Sequence, residues 1–134
     1  MPGVDLNYWA ILAAAIINMA VGAVWYSNAL FAKQWVKLTG RKMEDMRGAS
    51  PGYLVAAVGA LVQAFILAHF VRYAGAVTFA DGLITGFWLW LGFTAITTAV
   101  NGLFAGRPWK LWQIDAGYFL VVLVINGGLL AVWR

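Results

Sequence analysis

The chain has 134 residues, of which 63% are apolar and only 10% are charged. Ordinary soluble domains carry about 25% charged residues, because a domain in water must cover its outside with polar groups. A membrane protein presents an apolar exterior to lipid and needs far fewer charges. The composition therefore excludes an ordinary water-soluble domain and favours a membrane protein.

The residue inventory also limits the chemistry. The chain has no cysteine, which excludes disulfides, thiolate metal sites and thiol nucleophiles. Its one histidine, His69, cannot by itself build the usual multi-ligand metal site. No catalytic triad, phosphate loop or dinucleotide fingerprint appears. We therefore expect no metal and no cofactor, and an enzyme is the least supported class of function.

Four uncharged stretches of at least 18 residues each mark candidate membrane spans. A helix needs about 20 residues to cross roughly 30 Å of hydrocarbon, and the stretches lack the alternation of barrel strands. The sequence predicts an all-α, four-helix transmembrane bundle that forms a single domain over residues 1–134. The expected spans are about 6–26, 52–72, 81–105 and 112–133.

The basic residues predict the orientation of the bundle. Seven of the nine Lys and Arg residues lie in two loops, between the first and second spans and between the third and fourth. The positive-inside rule places both loops in the cytoplasm and both termini outside. The net charge of +4 is then expected to face anionic lipid head groups, and no nucleic-acid partner is expected. Because no Lys or Arg precedes the first span, we expect it to be retained and not cleaved as a signal peptide.

In the first cytoplasmic loop, apolar and basic residues recur at helical spacing on two separate stripes. The pattern predicts an amphipathic helix of about residues 28–39 that lies on the membrane surface as an anchor. The expected interfacial contacts are Phe31, Lys33, Trp35 and Lys37.

Two halves of the sequence resemble each other. NALFAKQWVKL, beginning at Asn28, resembles NGLFAGRPWKL, beginning at Asn101, with a one-residue offset before the final Lys-Leu. A Gly-Tyr pair opens both the second and the fourth span. We interpret this as two parallel-repeat helical hairpins related by an approximate two-fold axis along the membrane normal. The alternative is chance similarity among apolar segments. A true duplication would place a binding site at the interface between the halves.

Several polar side chains lie inside the predicted spans. They either hydrogen-bond to neighbouring helices, at about 0.6 kcal/mol on average, or line a cavity that opens to the cytoplasmic side. Both interpretations stay open. These candidates for a ligand-binding or polar-cavity site are Asn18, Gln63, Thr94, Thr97, Asn101, Gln113 and Asp115. Gly82 and Gly86 form a GxxxG pair, which we interpret as a packing contact.

Asp115 is the only acidic residue near the hydrocarbon. A helix that begins around Pro108 places it about two turns in, level with Asn101 and facing that residue. The first interpretation is a proton-coupling or ligand-binding carboxylate. The second is an interfacial residue whose charge is offset by Arg107 or Lys110.

A set of short motifs gives the chain a family resemblance. The motifs are Trp25-Tyr26-Ser27, Leu30-Phe31 with Lys33 and Trp35, Trp90-Leu91-Gly92-Phe93, Asn101 with Leu103-Phe104, Gly106-Arg107, and Lys110-Leu111 before Ala116-Gly117-Tyr118. Through them, nearly the whole chain resembles the bacterial membrane proteins of domain-of-unknown-function family 1761. The resemblance implies a bacterial membrane protein, for which we expect the inner membrane. It implies no activity and no catalytic residues.

Two functions follow as hypotheses. The first is a homo-oligomeric transporter or permease-like protein for a small solute, with the path lined by Asn18, Gln63, Thr97, Asn101 and Asp115. The alternative is a non-catalytic accessory or structural subunit that binds lipid, pigment or a larger membrane complex. Its motivation is the eight tryptophans of the chain, among which Trp88 and Trp90 lie deep in the third span. In both cases the expected partners are the lipid bilayer and other membrane-protein chains.

Overall fold

The computed structural model describes residues 3–41 and 50–134. Over these ranges the chain is all-helical, with no strand. The helices are α1 (Tyr8–Trp25), α2 (Ala32–Thr39), α3 (Ser50–Tyr73), α4 (Phe79–Phe104) and α5 (Trp109–Val132). Every one of them except α2 is long and apolar enough to cross a membrane.

The helix ends follow from local sequence. The Asn7 side chain accepts hydrogen bonds from the backbone N–H groups of Trp9 and Ala10, at 3.0 and 3.2 Å, and so caps α1. Thr78 and Asp81 form a reciprocal capping box at the start of α4. The turn before α4 and the turn after it contain Gly75 and Gly106, with φ of 68° and 70°. Only glycine adopts this left-handed conformation easily, so both glycines allow tight reversals of the chain.

The interior of α4 is not a regular α-helix. It is α-helical over Phe79–Leu89 and Ile96–Phe104, and between these parts Trp90–Ala95 form a π-helical segment. A π-helical segment shifts the side chains that follow it around the helix axis, and such segments are frequent at functional sites. The regular helical period used for the sequence prediction therefore does not hold across the middle of α4.

α5 is the central helix and α4 the peripheral one. α5 packs against each of the other four helices, and half of its apolar window is buried, against 11% of the window in α4. The main apolar core lies between α1, α3 and α5. It includes Ala10, Ile11, Ala14, Ala64, Leu67, Ala68, Val71, Leu123, Leu130 and Ala131.

The contact between α4 and α5 depends on glycine. A Cβ atom on Gly82 would collide with the backbone carbonyl of Gly127, and one on Gly86 would collide with that of Leu123. The two backbones therefore touch where a larger residue would separate them. The structure therefore shows that the GxxxG pair of α4 packs against α5.

The observed helix bounds differ from the expected ones mainly at α2. The four long helices begin and end within about three residues of the predicted spans, which is the usual disagreement at helix ends. α2 begins at Ala32, later than residue 28, because the chain first makes turns closed by backbone hydrogen bonds. Phe31 N–H donates to Trp25 C=O and Ala32 N–H donates to Ser27 C=O, both at 3.1 Å.

Candidate functional site

A line of polar side chains follows the contact between α1 and α5. Residues three or four apart on a helix share one face, so each helix contributes one row to the contact. We call this set the α1–α5 seam, and call the end of the bundle beside α2 the α2 end. The seam consists of Ala14, Asn18, Gly22 and Tyr26 from α1 and its C-cap, and Asp115, Tyr118, Val122 and Asn126 from α5.

At the α2 end, Asp115 accepts a hydrogen bond from an aromatic side chain. The Tyr26 hydroxyl donates to Asp115 Oδ1 at 2.6 Å, and the Trp35 ring packs edge to face against the Tyr26 ring with centroids 6.1 Å apart. Burial raises the pKa of Tyr26 above its ordinary value, and the neighbouring Asp115 raises it further. The phenol therefore stays protonated and serves as a donor.

In the middle of the bundle, the seam joins three helices through Asn18. Asn18 Nδ2 donates to Gln63 Oε1 on α3 at 3.0 Å, while the Tyr118 hydroxyl donates to Asn18 Oδ1 and to Asn18 C=O. The Tyr118 and Tyr26 rings meet edge to face with centroids 5.6 Å apart. Gly22 leaves room for the Tyr118 ring, since a Cβ there would lie 3.2 Å from its hydroxyl. A line of polar and aromatic contacts thus runs from Asp115 to Gln63.

The seam continues beyond this point after one apolar residue. Asn126 is buried, and its Nδ2 donates to Ala14 C=O at 2.9 Å. Among the described residues, its Oδ1 has no hydrogen-bond partner. Val122, which is fully buried, separates Asn126 from Tyr118. From Asp115 to Asn126 the seam covers roughly 16 Å along α5, about half of the hydrocarbon thickness.

Three tryptophans attach other helices to α5 around Asp115. Trp25 Nε1 donates to Ile114 C=O at 2.9 Å, and Trp90 Nε1 donates to Ala116 C=O at 2.8 Å. Trp112 Nε1 donates to Thr98 Oγ1 on α4 at 3.0 Å. These indoles hold α1 and α4 on either side of the acidic residue. Trp90 is thus engaged within the chain, whereas Trp88 is 62% exposed.

A cavity of about 700 Å³ opens beside Asp115 at the α2 end. We call it the inner groove. Arg41 and Arg107 lie at its edge with exposed side chains, and no ion pair is formed by either within the described part of the chain. Arg107 is close enough to Asp115 for the two charges to interact. The groove is lined by Trp35, Leu38, Thr39, Arg41, Gly52, Tyr53, Ala56, Gly106, Arg107, Pro108, Leu111 and Asp115.

The structure brings together only part of the predicted polar set. Asn18 and Gln63 meet in the seam, and Asp115 joins them through the two tyrosines. Asn101 has an exposed side chain and shares no hydrogen bond with Asp115 among the described residues, whereas Asp115 accepts one from Tyr26 at the end of α1. Gln113 lines a different cavity, of about 540 Å³, together with Lys110.

The two threonines of the predicted set lie on α4, away from the seam. Thr97 is exposed, and Thr94 is half-buried within the π-helical segment, where its backbone carbonyl accepts a hydrogen bond from the neighbouring Thr98 hydroxyl at 2.6 Å. Neither threonine is among the residues that line the inner groove.

The predicted interfacial residues divide into two groups. The Phe31 ring packs at a tilt against Trp25 with centroids 4.9 Å apart, and the Trp35 and Tyr26 centroids are 6.1 Å apart. Lys33 and Lys37 are exposed. The apolar side of α2 therefore contacts the bundle, and its basic residues point away from these contacts.

The sequence prediction missed three members of the seam, namely Tyr26, Tyr118 and Asn126. In the sequence, Tyr26 fits the belt of aromatic residues at a membrane interface, and Tyr118 belongs to the repeated Gly-Tyr pair. Only the fold shows that their hydroxyls point inward to Asp115 and Asn18. Asn126 carried the same signal as Asn18, because both are amides within an apolar span.

The four long apolar helices and the polar seam between them define a small multi-span helical membrane protein. Residues 9–131 match the family described as Protein of unknown function (DUF1761). The match covers nearly the whole chain, so the chain belongs to this family, and the resemblance carried by the short motifs is confirmed. No curated protein and no solved structure matches it.

Proposed function

We propose that the protein is a small transporter or permease-like protein for a small polar solute, working as a homo-oligomer in the bacterial inner membrane. The observation that carries this proposal is the α1–α5 seam, which leads from the inner groove past Asp115 into the apolar bundle. Polar and ionisable groups within membrane spans are costly, and they commonly mark solute or proton pathways.

In this proposal the inner groove is the cytoplasmic opening and Asp115 is the carboxylate that binds the solute or a coupled proton. Val122 is the apolar barrier between Tyr118 and the outer part of the seam around Asn126. Passage then requires α1 to move relative to α5, because the seam is closed by their mutual contacts. The orientation rests on the basic loops, with both termini outside.

The two-hairpin interpretation supports such a movement. α1 packs against α3, and α4 packs against α5 through the glycine contact. The seam lies between these two pairs, where parallel-repeat transporters hold their sites. In the repeat, Trp35 of α2 corresponds to Trp109 at the start of α5. α2 is then the counterpart of the first turns of α5, separated from α3 by an insertion.

Two exposed surfaces support the proposed partners. α4 is the least buried span, and its apolar side chains give a second copy of the chain or lipid a surface to contact. Lys33 and Lys37 of α2 are placed to meet anionic lipid head groups, as expected for an interfacial helix.

The test is a flux measurement with purified protein in liposomes that contain a pH-sensitive dye. Amino acids, polyamines, sugars and phosphorylated amines would be added one at a time under an imposed pH gradient. We expect at least one solute to produce a protein-dependent proton or counterflow signal above that of protein-free liposomes. Folded protein that gives no signal with any solute class, and no proton flux alone, would contradict the proposal.

A second candidate function is a non-catalytic accessory subunit. Its support is Trp88, which is 62% exposed within a membrane span although the other deep indole, Trp90, is engaged inside the chain. Purification in a gentle detergent should then recover a stoichiometric protein partner, lipid or pigment. A homo-oligomer free of any ligand would exclude this function.

A further inference from the structure

The charges of the inner groove select the kind of ligand that fits it. Asp115 lines the groove within α5, whereas Arg41 and Arg107 lie at its edge. A simple cation is attracted by the carboxylate but repelled by two guanidinium groups that form no ion pair among the described residues. A simple anion is attracted by the guanidinium groups but repelled by the carboxylate. A ligand that carries both charges satisfies both parts of the groove.

The spacing along α5 separates the two charges. Asp115 lies seven residues beyond Pro108, the residue next to Arg107, which corresponds to about 10 Å along the helix axis. An arginine side chain extends over much of that distance. The ligand therefore needs a positive group near Asp115 and a negative group towards the edge, joined by a short linker.

The remaining lining favours an ammonium group at Asp115. Trp35 from α2 and Tyr53 from α3 supply aromatic rings, which attract cations. A carboxylate accepts about four hydrogen bonds, and the Tyr26 hydroxyl accounts for one of them. Asp115 thus retains acceptor capacity for an N–H donor.

The two arginines favour phosphate as the negative group. A guanidinium group presents a fixed fork of donors that matches the oxygens of a phosphate, and two forks suit its several oxygens better than a single carboxylate. We propose that the inner groove binds an ammonium–phosphate zwitterion of the ethanolamine phosphate type, with the ammonium on Asp115 and the phosphate on Arg41 and Arg107. This deepens the proposed function, on which it rests, by naming its substrate class.

Ethanolamine phosphate has two sources, a free solute and the head group of phosphatidylethanolamine. The free form is tested by calorimetric titration of the purified full-length protein with O-phosphoethanolamine. The lipid form is tested by native mass spectrometry of protein offered equal amounts of phosphatidylethanolamine, phosphatidylcholine and phosphatidylglycerol. Saturable binding in the first arm, or preferential retention of phosphatidylethanolamine in the second, supports the site and identifies the source. Failure in both arms overturns the inference.

Substitutions then test the assigned contacts. Asp115→Asn should weaken O-phosphoethanolamine binding about tenfold or more, but leave ethyl phosphate, which lacks the ammonium, bound as before or more tightly. Arg107→Gln should weaken both ligands. Lys110→Gln is the matched control, because Lys110 lies in the same region but lines the other cavity, and it should bind like the wild type. For the lipid source, each variant is compared with the wild type by the amount of phosphatidylethanolamine that it retains.

The outcomes separate this inference from the proposed function. Equal binding by Asp115→Asn and wild type overturns the assignment of the ammonium, and a Lys110→Gln loss equal to that of Arg107→Gln overturns the assignment of the phosphate. If Asp115→Asn does not fold, the exposed Arg107 still provides the test. Zwitterion binding without any flux supports the binding site and contradicts the transporter function. Flux that depends on Asp115 without zwitterion binding supports the transporter function and contradicts the binding site.

Discussion

The hydroxyl of Tyr26 donates a 2.6 Å hydrogen bond to Oδ1 of Asp115 and so connects the end of α1 to the beginning of α5. The bond brings together residues 89 positions apart in the sequence. Among the described residues, Asp115 is the only carboxylate that lines the inner groove, and this bond fixes its direction. Any movement of α1 relative to α5 must either break this bond or move Tyr26 and Asp115 together.

Tyr26→Phe should lower the stability of the bundle by about 1.5–3 kcal/mol. The substitution removes a hydrogen bond to a charged group, whose typical contribution lies in this range, and keeps the ring that contacts Trp35 and Tyr118. The measurement is thermal or denaturant unfolding in a defined detergent. Tyr8→Phe serves as control, because Tyr8 is 69% exposed. Equal stability of both variants would show that the bond to Asp115 contributes nothing.

Asn18 and Gln63 should be energetically coupled. Their side chains form a direct hydrogen bond of 3.0 Å between α1 and α3, and such bonds in membrane proteins couple by about 0.6 kcal/mol on average and up to about 1.7. A double-mutant cycle with Asn18→Ala and Gln63→Ala measures the coupling from unfolding free energies. Strict additivity of the two substitutions would mean that the hydrogen bond is not formed in the folded protein.

Gly82→Ala should destabilise the protein by about 1–3 kcal/mol, the usual cost of an overpacked contact. Its new methyl group would collide with the backbone of Gly127 and push α4 from α5. Gly59→Ala is the matched control on α3, where nothing lies within 4 Å of the added atom. That control should be neutral or slightly stabilising, because alanine has the better helix propensity. The measurement is the unfolding curve of each variant. Similar effects of the two substitutions would contradict the close approach of the α4 and α5 backbones.

Labelling of single cysteines should show the segment between α1 and α3 inside and the turn between α3 and α4 outside. The chain has no cysteine of its own, so Lys37→Cys in α2 and Ala74→Cys between α3 and α4 each introduce one exposed thiol. In intact cells whose outer membrane has been made permeable, a membrane-impermeant maleimide should label residue 74 and leave residue 37 unlabelled until the inner membrane is opened. The opposite pattern would invert the orientation derived from the basic residues.

The sequence predicts the four long helices closely because the hydrophobicity of successive residues adds up along each of them. Twenty apolar residues in succession identify a span whatever lies beside it, and the ends of α1 and α4 carry capping residues that act locally. The GxxxG contact of Gly82 and Gly86 is also predictable, since its meaning depends on one short motif.

The candidate site is predictable only in part, because it depends on which helices meet. Asn18, Gln63 and Asp115 stand out as polar residues in apolar surroundings. Their partners Tyr26 and Tyr118 do not stand out, because an aromatic residue near the end of a span can equally well lie at the membrane interface. The pairing of Asn101 with Asp115 was derived from residue positions along adjacent helices, whereas the hydrogen bond that the structure shows for Asp115 comes from Tyr26.

The most direct measurement is flux through proteoliposomes that contain Asp115→Asn, beside Asp5→Asn and the wild type. Asp5 is an exposed carboxylate that precedes α1, so the control removes the same charge far from the seam. We predict that Asp115→Asn lowers the solute-driven signal about tenfold or more, equivalent to about 1.4 kcal/mol, and that Asp5→Asn retains it. Wild-type flux in Asp115→Asn would contradict a transport path that begins at this carboxylate.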